Sequence, residues 1–83
     1  MQPTAADAVR HFVQIRRALP PPTERRALRI AAGLSQAQMG AAVGATKNAV
    51  ANWEAGIRTP RGVFLERYVD ALRALRDETA EVA

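Results

Sequence analysis

The sequence predicts an all-α fold, and three observations lead there. No stretch alternates apolar and polar residues for long enough to make a half-buried strand. Alanine, leucine and arginine, all good helix formers, are prominent among the 83 residues. Glycine and proline then cut the chain into five helix-sized pieces, at Pro20-Pro21-Pro22, Gly33, Gly44, Gly56 and Pro60. A chain of this length has room for one hydrophobic core, so the pieces must share it.

The first piece runs from Thr4 to Leu19. Thr4 can cap it, and Asp7 sits in the first turn, where a negative charge opposes the helix dipole favourably. Val9, Phe12, Val13, Arg16 and Leu19 fall largely on one stripe at helical spacing, with Ile15 beside it. That stripe needs cover, from the domain's own core first, then from a second copy or another protein. Three prolines end the helix and favour an extended rod, which makes residues 1–22 an N-terminal helix and linker.

The second piece starts at Thr23, read as an N-cap, and stops at Gly33, which takes the left-handed conformation at little cost. Ser35-Gln36-Ala37-Gln38 has the capping-box form and opens a third helix that ends at Gly44. A fourth spans Thr46 to Gly56. The fifth is expected from Thr59-Pro60, a cap followed by proline at the first helical position. It would run to Arg76 with Phe64, Leu65, Tyr68, Val69, Leu72 and Leu75 inward. Residues 23–76 thus form the central domain, and 77–83 a frayed acidic tail.

Composition removes several function classes. With no cysteine and a single histidine, His11, neither a disulfide framework nor a metal centre is expected, and no cofactor is implied. No carboxylate pair stands on a defensible concave surface and no nucleophile–histidine pairing suggests itself, so an enzyme is not expected. The N-terminus lacks signal-peptide character, and no run approaches the roughly 18–20 apolar residues that span a bilayer. A cytoplasmic protein is the expectation.

Charge adds direction. The formal net charge is +4, with the positive excess in residues 1–61 and a net negative charge in 62–83. A basic middle suits a polyanion bound through one face, although an arginine-rich coding bias would give the same totals.

The informative stretch runs from Leu34 to Gly56. Met39 and Val43 share one face of the third helix, Val50 and Trp53 one face of the fourth. Gly40 supplies the small residue where the two cross, and Gly44 the turn. Packing these four apolar side chains leaves Lys47, Asn48, Ala51 and Asn52 toward solvent. A helix so presented fits the major groove of B-DNA.

On these residues, positions 24–75 resemble the Cro/phage-repressor type of helix-turn-helix domain. The matching elements are Leu28-Arg29, Ala32-Gly33-Leu34-Ser35-Gln36, Met39, Val43-Gly44, Val50, Trp53-Glu54-Ala55-Gly56 and Pro60. The resemblance implies an all-α, five-helix, lambda-repressor-like fold and sequence-specific binding of double-stranded DNA. It also implies a transcriptional repressor or regulator of phage or mobile-element type, acting as a dimer on a palindromic operator. One departure is Gly40, where the family usually has alanine; it lowers helix propensity by up to about 1 kcal/mol without blocking the close approach.

Under that resemblance, Thr46, Lys47, Asn48 and Asn52 are the base-contact candidates. Asparagine can pair with adenine through two hydrogen bonds, and lysine can reach guanine or a phosphate. Gln36, Arg58 and Arg61 become phosphate contacts, with Arg25 and Arg26 weaker candidates. Arg29 and Glu54 become a partly buried structural ion pair, and Trp53 a core residue. The N-terminal helix lies outside the resemblance. Through Val9, Phe12, Val13 and Leu19 it keeps a second function in view, that of an antitoxin or accessory DNA-binding factor holding a partner protein.

Overall fold

The computed structural model describes residues 2–80. Five helices follow in order: α1 (Ala5–Ala18), α2 (Pro22–Ala31), α3 (Gln36–Val43), α4 (Lys47–Glu54) and α5 (Val63–Ala80). No strand occurs among the described residues.

Local chemistry accounts for most of the helix starts. Thr4 and Ser35 each form a complete capping box, with Asp7 and Gln38 answering the cap's own N–H. Thr46 caps α4 through its hydroxyl, which accepts from the Ala49 N–H at 3.1 Å. α2 begins differently from the sequence expectation. Pro22 is its first residue and Pro21 its N-cap, so Thr23 lies inside the helix. The three prolines are therefore no rod. Pro20 is buried, Pro21 caps, and Pro22 uses the first helical position, where its missing N–H costs nothing.

α5 also departs from expectation. It begins at Val63 rather than Thr59, because Gly62 holds φ +58°, outside the right-handed helical region. Pro60 is buried in the preceding loop. Phe64, read as inward, is 39% exposed. The helix continues through Ala80, so the described part of the expected frayed tail is helical, with the Thr79 hydroxyl donating to the Leu75 carbonyl at 2.8 Å. Residues 81–83 lie outside the described ones.

The core joins α3, α4 and α5. Met39, Val43, Val50, Trp53, Tyr68, Leu72 and Leu75 form one buried cluster, with Leu19, Leu28 and Leu34 packed against it. The Trp53 and Tyr68 rings lie 4.8 Å apart, inside the range where tilted aromatic pairs attract beyond their area burial.

α1 corrects the expectation that its stripe packs inward, for it buries no residue completely. Its half-buried residues are Ala8, Ile15, Ala18 and the flanking Leu19. Val9 and Phe12 are each 59% exposed and Val13 40%. Leu19, grouped with that stripe from its spacing, instead seats on the core and is not part of the exposed face. α1 rests against α5, where His11 Nε2 lies 2.8 Å from Glu66 Oε1.

Candidate nucleic-acid interface

The pairing of α3 with α4 fixes the site. Gly44 closes α3 at φ +77°, a left-handed conformation that an L side chain adopts only with strain. The chain then reverses tightly, and the Ala45 N–H donates to the Gly40 carbonyl at 2.8 Å. At Gly40 a Cβ would stand 2.9 Å from the Ala45 carbonyl oxygen and 3.2 Å from that of Thr46. Glycine is thus required for the distance at which these helices meet. Backbone lies where the methyl of the family's usual alanine would go, so this departure from the family pattern matches the close crossing of the two helices.

With Val50 and Trp53 buried against α3 and α5, the opposite side of α4 faces outward. Thr46, Lys47 and Asn48 are exposed, and Asn52 is half-buried. Thr46 keeps its hydroxyl proton free to donate, since capping uses the oxygen as acceptor. The Asn52 carbonyl accepts from the Ile57 and Arg58 N–H groups at 3.0 and 3.3 Å, which folds the next loop back beside α4. An open groove results. It is lined by Thr46, Asn48 and Asn52 from α4 and its cap, and by Arg58, Arg61 and Phe64 from the following loop and the start of α5. Arg58 and Arg61 are exposed. Polar side chains that can read base edges thus share one surface with cations that can hold phosphates.

Behind this surface lies a buried ionic cluster. Arg29 donates to the Glu54 carboxylate through Nε at 2.6 Å and Nη2 at 2.9 Å, and through Nη1 to the Leu34 carbonyl at 2.8 Å. Gln36 Nε2 donates to the same carboxylate at 3.2 Å. Burial pushes the Glu54 carboxyl upward, but the hydrogen bonds from Arg29 and Gln36 outweigh it and leave the group below the usual carboxylate range. The bond to Glu54 likewise raises Arg29 against its desolvation. The cluster ties α2 and the start of α3 to the end of α4. Gln36, expected on phosphate, thus has its side-chain amide turned to Glu54, while the opening N–H groups of α3 lack intrahelical partners, as at any helix start.

Arg25 departs from its phosphate reading. It is buried, with Nε donating to the Pro20 carbonyl at 2.7 Å and Nη1 to the Trp53 carbonyl at 2.9 Å. Desolvation lowers its pKa from the ordinary arginine value. It bolts the entry of α2 to the end of α4, and so cannot reach a ligand. Its position four residues before Arg29, on the same helical face, was the available signal. The tie between His11 and Glu66, and Phe64 in the groove lining, had no sequence signal because both depend on how α5 is placed.

Among the described residues, no cluster of three or more potential ligands could hold a metal ion, and no helix is long and apolar enough to cross a membrane. A family profile described as a helix-turn-helix domain matches residues 26–82. Comparison with curated proteins and with solved structures gives no match.

Proposed function

Because the chain belongs to the helix-turn-helix domain family, we propose that it is a sequence-specific binder of double-stranded DNA and a transcriptional repressor. In this reading it acts in the cytoplasm as a dimer on a palindromic operator, in the manner of phage and mobile-element regulators. One observation carries the proposal: Lys47 and Asn48 stand exposed at the start of α4 while Val50 and Trp53 anchor the same helix in the core. Thr46, Lys47, Asn48 and Asn52 then read base edges in the major groove, while Arg58, Arg61 and the backbone N–H of Gln36 at the start of α3 hold the flanking phosphates.

The test compares two substitutions on selected and random duplexes across a salt series. Asn48→Ala should cost about 1–3 kcal/mol on the preferred site and little on random DNA. Arg58→Ala should weaken both alike and flatten the salt slope by about one. Equal losses on both duplexes for Asn48→Ala would remove it from base reading.

The exposed face of Val9, Phe12 and Val13 favours a second reading, in which the chain is an antitoxin or accessory factor and α1 holds a protein partner. A partner that remains bound through purification of the native complex distinguishes it from the first.

A further inference from the structure

The family match begins at residue 26, so α1 and its charges lie outside the helix-turn-helix footprint. The fold nevertheless carries the end of α1 to the end of the DNA-reading helix. Arg25 holds the Pro20 carbonyl with one nitrogen and the Trp53 carbonyl with another. Pro22 Cγ lies 3.3 Å from where a Cβ would stand on Gly56. Gly56 opens the loop that bears Arg58 and Arg61. The last turn of α1, with Arg16 and Arg17, therefore leads directly into the junction from which that loop departs.

Both arginines are exposed, and neither forms an ion pair or side-chain hydrogen bond among the described residues. Arg10 differs, since Asp7 engages it at 3.3 Å. A bland account is available for Arg16 and Arg17: cations in a last turn complement the helix dipole. That account explains a small gain in helix stability. It leaves unexplained why two unneutralised guanidinium groups stand on the last turn of the helix that leads into the junction of Pro22 with Gly56, next to the loop that bears Arg58 and Arg61.

We propose that Arg16 and Arg17 form an auxiliary phosphate-binding site, extending the protein's contact along the DNA backbone beyond the segment gripped by Arg58 and Arg61. This rests on the DNA-binding reading above. The site recognises phosphate spacing and charge, not base sequence, so it adds affinity equally on every duplex.

The experiment measures binding of the full chain to a selected duplex and a random duplex between low and moderate salt. The variants are Arg16→Gln/Arg17→Gln, Arg16→Lys/Arg17→Lys and Arg73→Gln. Glutamine keeps helix propensity close to arginine's, so α1 is retained, and circular dichroism verifies its helicity. Arg73 is exposed, unpaired among the described residues, and ten residues into α5, about 15 Å along the helix from its start. The glutamine pair should lose about tenfold in affinity on both duplexes, with the salt slope flattened by about two. The lysine pair should keep the slope, and Arg73→Gln should leave it unchanged. An unaltered slope in the glutamine pair overturns the proposal. So does an equal loss in the lysine pair, which would mark a structural effect, or an equal loss per charge at Arg73, which would mark a general one. If the unsubstituted chain binds no duplex at low salt, the DNA reading itself fails. If it binds and only Arg58→Ala changes the slope, that reading stands and this inference alone falls.

Discussion

Two buried ionisable side chains set opposite edges to the pH range over which this fold is stable. Glu54 is held below the usual carboxylate range in the folded chain, so folding favours its charged form. That contribution is complete above the unfolded value of about 4.3 and is lost as pH falls through the folded value. Tyr68 behaves in reverse. Burial, aided by the nearby Glu54 charge, pushes its hydroxyl up to about 12, against the opposing effect of Arg25 and Arg29. Its contribution is complete below about 10, the unfolded value, and is lost as pH rises toward the folded one. Chemical denaturation at a series of pH values should therefore show an acid limb below about pH 4 and an alkaline limb above about pH 10. The Tyr68 hydroxyl is buried with no hydrogen-bond partner among the described residues. Tyr68→Phe removes that unmatched donor and should leave stability at neutral pH equal or higher while abolishing its part of the alkaline limb. A clear loss of stability at neutral pH would mean that the hydroxyl has a partner worth keeping.

At the scale of elements, the turn between α3 and α4 concentrates the fold's least replaceable backbone. Gly40 and Gly44 are both glycine for different reasons, and substitution should separate them. Gly44→Ala keeps space except for the movable end of the Arg67 side chain, so its cost is the left-handed strain, about 1–2 kcal/mol. Gly40→Val drives a branched side chain into the backbone of Ala45 and Thr46, which belong to the turn itself. It should cost more, about 3 kcal/mol, and lower the melting temperature by well over 10 °C. If thermal unfolding found Gly40→Val the milder of the two, the close approach would not limit this packing. The same contrast explains what the sequence could reveal. Capping at Thr4, Ser35 and Thr46 and the turn at Gly44 were legible because each depends on residues three or four apart. The apolar faces of α3 and α4 were legible from spacing alone, and with them the outward side of α4. The start of α5 was not: Thr59-Pro60 carries a helix-start signature, but Pro60 is drawn into the interior and Gly62 breaks the run. The direction of the Arg25 and Gln36 side chains was not legible for a related reason. Whether a polar side chain turns outward to phosphate or inward to a carbonyl or Glu54 is decided by tertiary placement, which periodicity does not encode.

At the scale of the whole molecule, α1 stands apart from the unit that carries the site. Periodicity correctly showed it to be amphipathic, yet the face that packs is Ala8, Ile15 and Leu19, and the larger Val9, Phe12 and Val13 remain outside. Its specific tie, His11 to Glu66, joins side chains that are 55% and 43% exposed, a setting in which such pairs contribute little. The anchors that matter to the core begin later, with Leu19 on the cluster and Pro20 on Arg25. A chain beginning at Leu19 should therefore still fold, with a single cooperative thermal transition lowered by no more than about 10 °C. On DNA the consequences divide. The truncated chain keeps Lys47, Asn48 and Asn52 on the same rigid pair of helices, so its ratio of selected to random binding should match that of the full chain. Its overall affinity should fall, because the cations of α1 have gone with the helix. A truncated chain that unfolds would make α1 part of the core despite its exposure, and one that folds but no longer distinguishes the two duplexes would place sequence reading partly in α1.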